Sequence, residues 1–216
     1  MTRKKKRRSD AFIPGQPYNV KFNIHVTQEG VWELADNEDK SILQSLKNDS
    51  DRAAAIIAGS MIETRLETSI LCRTQRDPVI ENRLFQPSGP LGSFTTKIEL
   101  AYLFGLITRK AFDDLVIVKD IRNDFAHRLD IKDFQTQSIL DRTKNLKLIE
   151  THVGNFTGAK GEVLMRPQAN TGLPRLNVHD YHAKKKQPRT RYLMTIQLFI
   201  VCLIGGNIPN APTPFI

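Results

Sequence analysis

Residues 18–26 (YNVKFNIHV) alternate between apolar and polar side chains. Tyr18, Val20, Phe22, Ile24 and Val26 fall on one face and Asn19, Lys21, Asn23 and His25 on the other, which is the period of a β-strand. Gln28-Glu29-Gly30 turns the chain toward a second short strand, Val31–Leu34. A lone hairpin is marginal in water, so this one must lie on something. From Ser41 the period becomes helical. One or two turns through Leu46 are followed by Ser50 or Asp51 as the N-cap of a long helix over 51–73. On a wheel of about 100° per residue, Ile56, Ile57, Met61, Ile62, Leu66, Ile70 and Leu71 cover most of the circumference. A helix that is apolar nearly all round is central in its domain. Glu63 and Glu67 sit one turn apart on it and need partners, because burying an unpaired carboxylate is costly.

Residues 86–92 (QPSGPLG) read as a loop. Ser93 or Thr95 opens a helix through Ile107, with Ile98, Ala101, Tyr102 and Leu106 on one face. Thr108 caps the next helix, 109–127, and Asp133–Leu148 forms another. Residues 154–190, rich in Gly, Pro and Lys, read as a long excursion with a second hairpin around Gly161–Met165. Thr190–Ile204 closes the core, and NIPNAPTPFI cannot continue that helix. The expected fold is mainly α: a helical bundle of about five to six helices with a small N-terminal β-hairpin. Its expected order is a disordered basic tail (1–17), a hairpin extension (18–40), a helical domain (41–204) holding the 154–190 insertion, and a tail (205–216).

A chain of 216 residues buries a core without covalent staples. Cys72 and Cys202 each lie in an apolar run and read as buried thiols of a reducing compartment. The longest apolar run, Tyr192–Gly206, contains Thr195 and Gln197 and falls short of the roughly 18 residues of a spanning helix. No apolar h-region follows the basic start. The expectation is a cytoplasmic protein with no membrane partner.

Two segments, residues 3–8 at +6 and residues 178–191 at +4 with Asp180, outweigh the net charge of +9, and the other residues sum to −1. One is Arg3, Lys4, Lys5, Lys6, Arg7 and Arg8. The other holds Lys184, Lys185, Lys186, Arg189 and Arg191. Such runs suit the phosphates of DNA or RNA; equally, the first reads as a solvated tail. Only Tyr181 and Tyr192 interleave the second run, which gives base stacking little support. No cofactor or metal is expected: His179, Asp180 and His182 lack a further ligand cluster. Gly-x-Ser-x-Gly, His-Glu-x-x-His and Cys-x-x-Cys are absent, so hydrolase, zinc-protease and thiol-redox readings have no support. SGPLGSF lacks the Gly-Lys-Ser/Thr ending of a phosphate loop and reads as a tight turn into a helix.

The densest candidate chemistry is Arg122-Asn123-Asp124-Phe125-Ala126-His127. Asn123 and His127 are one turn apart on one helix face, where the amide suits fixing the imidazole tautomer. Arg122 lies about 140° round from His127 on an ideal wheel. They converge only if the last turn loosens or a second copy supplies one of them. An Arg and a His suit RNA cleavage: the His moves a proton and the Arg stabilises phosphorane-like charge. The RNA's own 2′-hydroxyl is the nucleophile, so no metal is needed. The structural alternative has Arg122 neutralising Glu63 or Glu67 and His127 serving a helix C-terminus, where a cation is favoured.

Together, DRAAAIIAGSMIETRLE, PLGSFTTKIELAYLFGLI, VKDIRNDFAH, FQTQSILDRTKNLKL and RTRYLMTIQLFIVCL resemble the mannitol operon repressor (MtlR-like) family, over roughly residues 50–150 and 189–204. That resemblance implies an all-helical domain and a regulatory role of the transcriptional repressor type, without an obvious helix-turn-helix. It leaves open whether the partner is nucleic acid or a regulatory protein. The RNDFAH segment also resembles the HEPN superfamily, whose ribonucleases carry Arg-x4-6-His at a dimer interface. That likeness implies a catalytic pair of Arg122 and His127, with Asn123 as the polar residue after the Arg. The HEPN likeness and the apolar closing helix both suggest a homodimer. The chain departs from the compact repressor pattern in its hairpin, its basic tail and its 154–190 insertion.

Overall fold

The computed structural model describes residues 24–26, 32–34, 37–154, 176–206 and 216. The basic tail at 1–17, the start of the first strand and the hairpin expected at Gly161–Met165 lie outside the described residues. Within them the chain is mainly helical. Strands β1 (Ile24–Val26) and β2 (Trp32–Leu34) pair antiparallel with Ile24 opposite Leu34. Helix α1 (Asn37–Ser45) leads to α2 (Asp51–Leu71), α3 (Pro78–Phe85), α4 (Phe94–Leu103) and α5 (Arg109–His127). Then come α6 (Gln137–Lys144), α7 (Ile149–His152), β3 (Val153–Gly154), β4 (Leu176–Asn177), α8 (Tyr181–Lys184) and α9 (Pro188–Gly206). The short pair β3 and β4 is parallel.

The expected N-caps are in place. Ser50, Ser93 and Thr108 accept from the backbone N–H groups of Ala53, Thr96 and Ala111, each satisfying a donor that a helix start leaves open. Helix α2 is central, packed against α4, α5 and α9. Its first half presents Ala54, Ala55, Ala58 and Gly59 inward, all buried. Small residues there admit an aromatic cluster: Phe134 packs on Phe125 and Tyr192 at 5.0 and 5.3 Å. The Tyr192 hydroxyl donates to the Ala55 carbonyl at 3.1 Å. Helices α4 and α9 run parallel to α2, since Lys97 meets Glu63 while Tyr192 meets Ala55 and Leu203 meets Ser69. Helix α5 runs antiparallel, with Phe125 at the Arg52 end.

One helix is added and three expectations need correction. Residues 78–85 form a helix, α3, which the periodicity does not announce; Asp77 caps it and Pro78 starts it. Helix α4 stops at Leu103 rather than Ile107. Gly105 takes φ +68° and the Leu106 N–H returns to the Ala101 carbonyl at 2.9 Å, a glycine-terminated helix end. The helix expected over 133–148 is two. Asp133 folds the N–H groups of Gln135 and Thr136 onto its own carboxylate, delaying the start to Gln137. Asp114 then captures the N–H groups of Lys147 and Leu148 and breaks the run. Finally, the apolar residues of α9 from Ile196 to Ile204 are all buried; Gln197 alone in that stretch is exposed. The hairpin, α2, α6 and α7 cover them. Among the described residues the closing helix therefore offers a second copy no broad apolar face, and that ground for a homodimer falls away.

Candidate functional site

Helix α5 is fixed by its buried face of Ala111, Leu115, Val118, Ile121 and Phe125. It stays regular through His127; Arg128 leaves the helix in extended conformation, its N–H on the Asp124 carbonyl. Arg52 of α2 holds this end. Its guanidinium donates to the carbonyls of Phe125, Arg128 and Ile131, satisfying acceptors that a helix C-terminus leaves open. Asp124 accepts from Arg142 at 2.6 Å and faces Arg128 at 3.7 Å. The last turn is thus clamped rather than loosened.

The stem of Arg122 lies flat on α2 at Gly59, where an added Cβ would meet its Cγ at 2.7 Å. Its Nη1 donates to Asn123 Oδ1 at 2.9 Å, and its Nη2 stands 3.8 Å from Glu63. Its Nε is buried and makes no hydrogen bond among the described residues. The acids expected to need partners are served mainly by Lys97, which reaches Glu63 at 3.1 Å and Glu67 at 2.8 Å. Asn123 spends its oxygen on Arg122 rather than on His127. His127 is exposed. On a regular helix the two candidates stay about 140° apart, with the stem of Arg122 laid on α2 and His127 exposed.

Arg3, Lys4, Lys5, Lys6, Arg7 and Arg8 lie outside the described residues. The second basic run is divided by the fold. Arg191 is buried: it donates to the carbonyls of Thr143, Lys144 and Leu146 and pairs with Glu150 at 2.6 Å. Arg189 pairs with Asp51 at 2.6 Å and donates to the carbonyls of Leu46 and Asp49. Lys185 pairs with Glu150 at 2.9 Å and stands over the Tyr181 ring. Lys184 is half-buried and Lys186 exposed, so these two remain for a surface contact.

His179 pairs with Asp180 at 2.8 Å while His182 packs on Tyr181, so the three do not converge. Burial pushes the Cys72 thiol up to about 11, against the charges of Arg73 and Arg76, and drives Cys202 higher still. Neither is an activated nucleophile. Burial and the Glu150 carboxylate raise Tyr181 to about 12. In SGPLGSF, a Cβ on Gly89 or Gly92 would strike the carbonyls of Leu84 or Gln86. That glycine pair serves a tight turn.

The residues missed in the sequence are Arg52, Lys97 and Asp114. Two carried a signal. Lys97 sits in the apolar stripe of Phe94, Ile98 and Ala101, and Asp114 in that of Ala111, Leu115 and Val118. A charge on a core-facing stripe asks for a buried partner.

Residues 77–164 match the family model described as MtlR, mannitol repressor, which is less than half of the 216 residues. A chain of the X-ray structure of the MtlR-HPr complex from Escherichia coli superposes with a TM-score of 0.51 at 18% identity. The likeness covers 78% of this chain and 99% of that one. No curated protein matches. Of the segments that carried the resemblance, those in α4, α5 and α6 lie inside the matched range, while those in α2 and α9 lie outside it. The HEPN resemblance rests on RNDFAH alone. The chain shares the MtlR fold, and its sequence likeness to that family lies in residues 77–164.

Proposed function

We propose that this protein is a regulatory protein of the MtlR type, of the transcriptional repressor kind, that works by holding a macromolecular partner. The observation that carries this is the family match over residues 77–164, set in a fold shared along nearly all of an MtlR chain. A protein partner is the first choice. The matched MtlR chain was solved in complex with HPr, and the second basic run of this chain is largely consumed inside its own fold. DNA or RNA contact rests on residues 3–8 with Lys184 and Lys186. The test is calorimetric titration of the full chain with HPr, and separately with duplex DNA and single-stranded RNA, at low and high salt. Saturable HPr binding is expected. Nucleic-acid binding that falls steeply with salt, and is lost when residues 3–8 are neutralised, would move the reading to direct contact with DNA or RNA. Binding to none of them would remove it.

Metal-independent RNA cleavage by Arg122 and His127 is the alternative, and the clamped helix end and the separation of the pair weigh against it. In EDTA, neither the wild type nor His127→Ala is expected to cleave RNA. Cleavage by the wild type alone would reverse the order of the two readings.

A further inference from the structure

Helix α3 is held by its N-terminal cap and by Phe85, which packs partly buried against the core. Asp77 accepts from Val79 and Ile80, and its own N–H donates to Glu81 at 3.1 Å. None of its residues is buried. Val79 is 79% exposed and Ile80 44%. Between this helix, the C-terminal end of α2 and the end of α4 lies a partly open cavity of about 570 Å³. Ile70, Leu84, Phe85, Leu100 and Phe104 supply its apolar walls.

That volume is in the range of about 300–1,000 Å³ typical of small-molecule sites, which combine apolar walls with a few polar groups. The charged side chains of the lining are already engaged. Arg76 Nε pairs with Glu81 at 3.1 Å, and Asp77 caps α3. Thr74 donates to the Leu71 carbonyl. The exposed amide of Gln75 is the neutral polar group left at the rim. Two phenylalanines in the walls favour a ring, stacked offset or edge-on. A net charge on the ligand would lose its hydration with no opposite charge to meet it.

We infer that the cavity between α2, α3 and α4 is a binding site for an uncharged aromatic small molecule carrying one hydrogen-bonding group. Such a ligand covers Ile80, Leu84 and Phe85 and ties α3 to the body of the fold.

The probe is N-phenyl-1-naphthylamine, titrated into the full chain and followed by its fluorescence. Its sulfonated analogue, 8-anilino-1-naphthalenesulfonate, tests the charge. The expected result is saturable binding of one uncharged dye per chain, at least tenfold tighter than the anionic one. Leu84→Trp fills the cavity and weakens binding at least tenfold. Ile80→Arg, at the solvent-exposed rim, does the same and decides the matter if Leu84→Trp does not fold. Leu103→Gln, exposed and outside the lining, leaves binding unchanged. The inference is overturned by an absence of saturable binding, by equal or tighter binding of the sulfonate, or by indifference to Ile80→Arg. One dye per two chains with sensitivity to Leu103→Gln also overturns it, assigning the face to a second copy.

Discussion

At the N-terminal end of α2, charged side chains reach inward. Arg52, Arg189 and Arg191 gather the carbonyl groups that helix ends and turns leave open around α5, α6 and the α1–α2 junction. At the C-terminal end of α2, apolar side chains reach outward instead. Val79, Ile80, Leu103 and Phe104 are all exposed, and a cavity lies beneath α3. The difference bears on where function resides. Arginines that look available in the sequence are consumed by main-chain acceptors, so charge density alone overstates the basic surface left for a partner. Apolar area in water costs about 25 cal/mol per Å² relative to burial, so the apolar cavity walls beneath α3 are where an occupant gains most.

The comparison predicts its largest effect at Arg191. Arg191→Met leaves the carbonyls of Thr143, Lys144 and Leu146 without their donor and Glu150 with Lys185 as its remaining ion-pair partner. Arg191 is buried while Glu150 is exposed, so the loss comes mainly from the unmet carbonyls, about 3 kcal/mol in all. Urea unfolding measures it. A loss below about 1 kcal/mol would mean that the guanidinium is a surface group, returning it to the nucleic-acid reading.

How much of this was legible follows from what each residue must satisfy. The helix starts at Ser50, Ser93 and Thr108 were readable because an N-cap is a local device that needs only its own next turn. The centrality of α2 was readable from its apolar circumference. The break between α6 and α7 was not, because the agents are Asp114 and Arg191, distant in sequence and charged on buried faces. Helix α3 was missed because it has no buried stripe to betray a period. The Arg122 segment shows both sides. Its helical placement was clear, but the partner of Glu63 and Glu67 was expected there and is chiefly Lys97. A single sequence shows which carboxylates want a cation, and not which of several cations arrives.

Lys97 gives the next effect. Lys97→Met leaves Glu63 and Glu67 facing each other with Arg122 at a distance. Both acids keep some contact with solvent, so the cost is below that of a fully buried pair, about 2 kcal/mol. Adding Glu63→Gln and Glu67→Gln to Lys97→Met is expected to recover most of it. No recovery would place the loss in packing rather than charge.

Asp114 offers a test by pH. Burial pushes its carboxyl above the usual range, against the lowering effect of the Leu148 and Lys147 N–H groups and of Arg191. The folded chain therefore takes up this proton at higher pH than the unfolded chain. The stability it contributes is fully present below the ordinary carboxylate value and is lost as pH rises through the raised folded value. Asp114→Asn removes that dependence. Urea midpoints of the two proteins, measured from neutral pH downward, should move apart in favour of the wild type as pH falls. Parallel curves would show that the N–H donors balance burial at this site, and a wild type that loses ground as pH falls would show that they outweigh it.

The smallest effect is expected at the open end, and its smallness is the point. Leu103 is 76% exposed at the last position of α4, so Leu103→Gln removes little buried area. Surface changes of that kind stay within about 0.5 kcal/mol. Urea unfolding at two protein concentrations separates two causes for the exposed apolar residues at this end. A small-molecule site leaves both variant and wild type independent of concentration. A face normally covered by another copy makes the wild type more stable as protein is added, because association stabilises by mass action. Leu103→Gln would then abolish that gain. A concentration-dependent wild type would join the two ends of α2 as structural surfaces and remove the contrast between them.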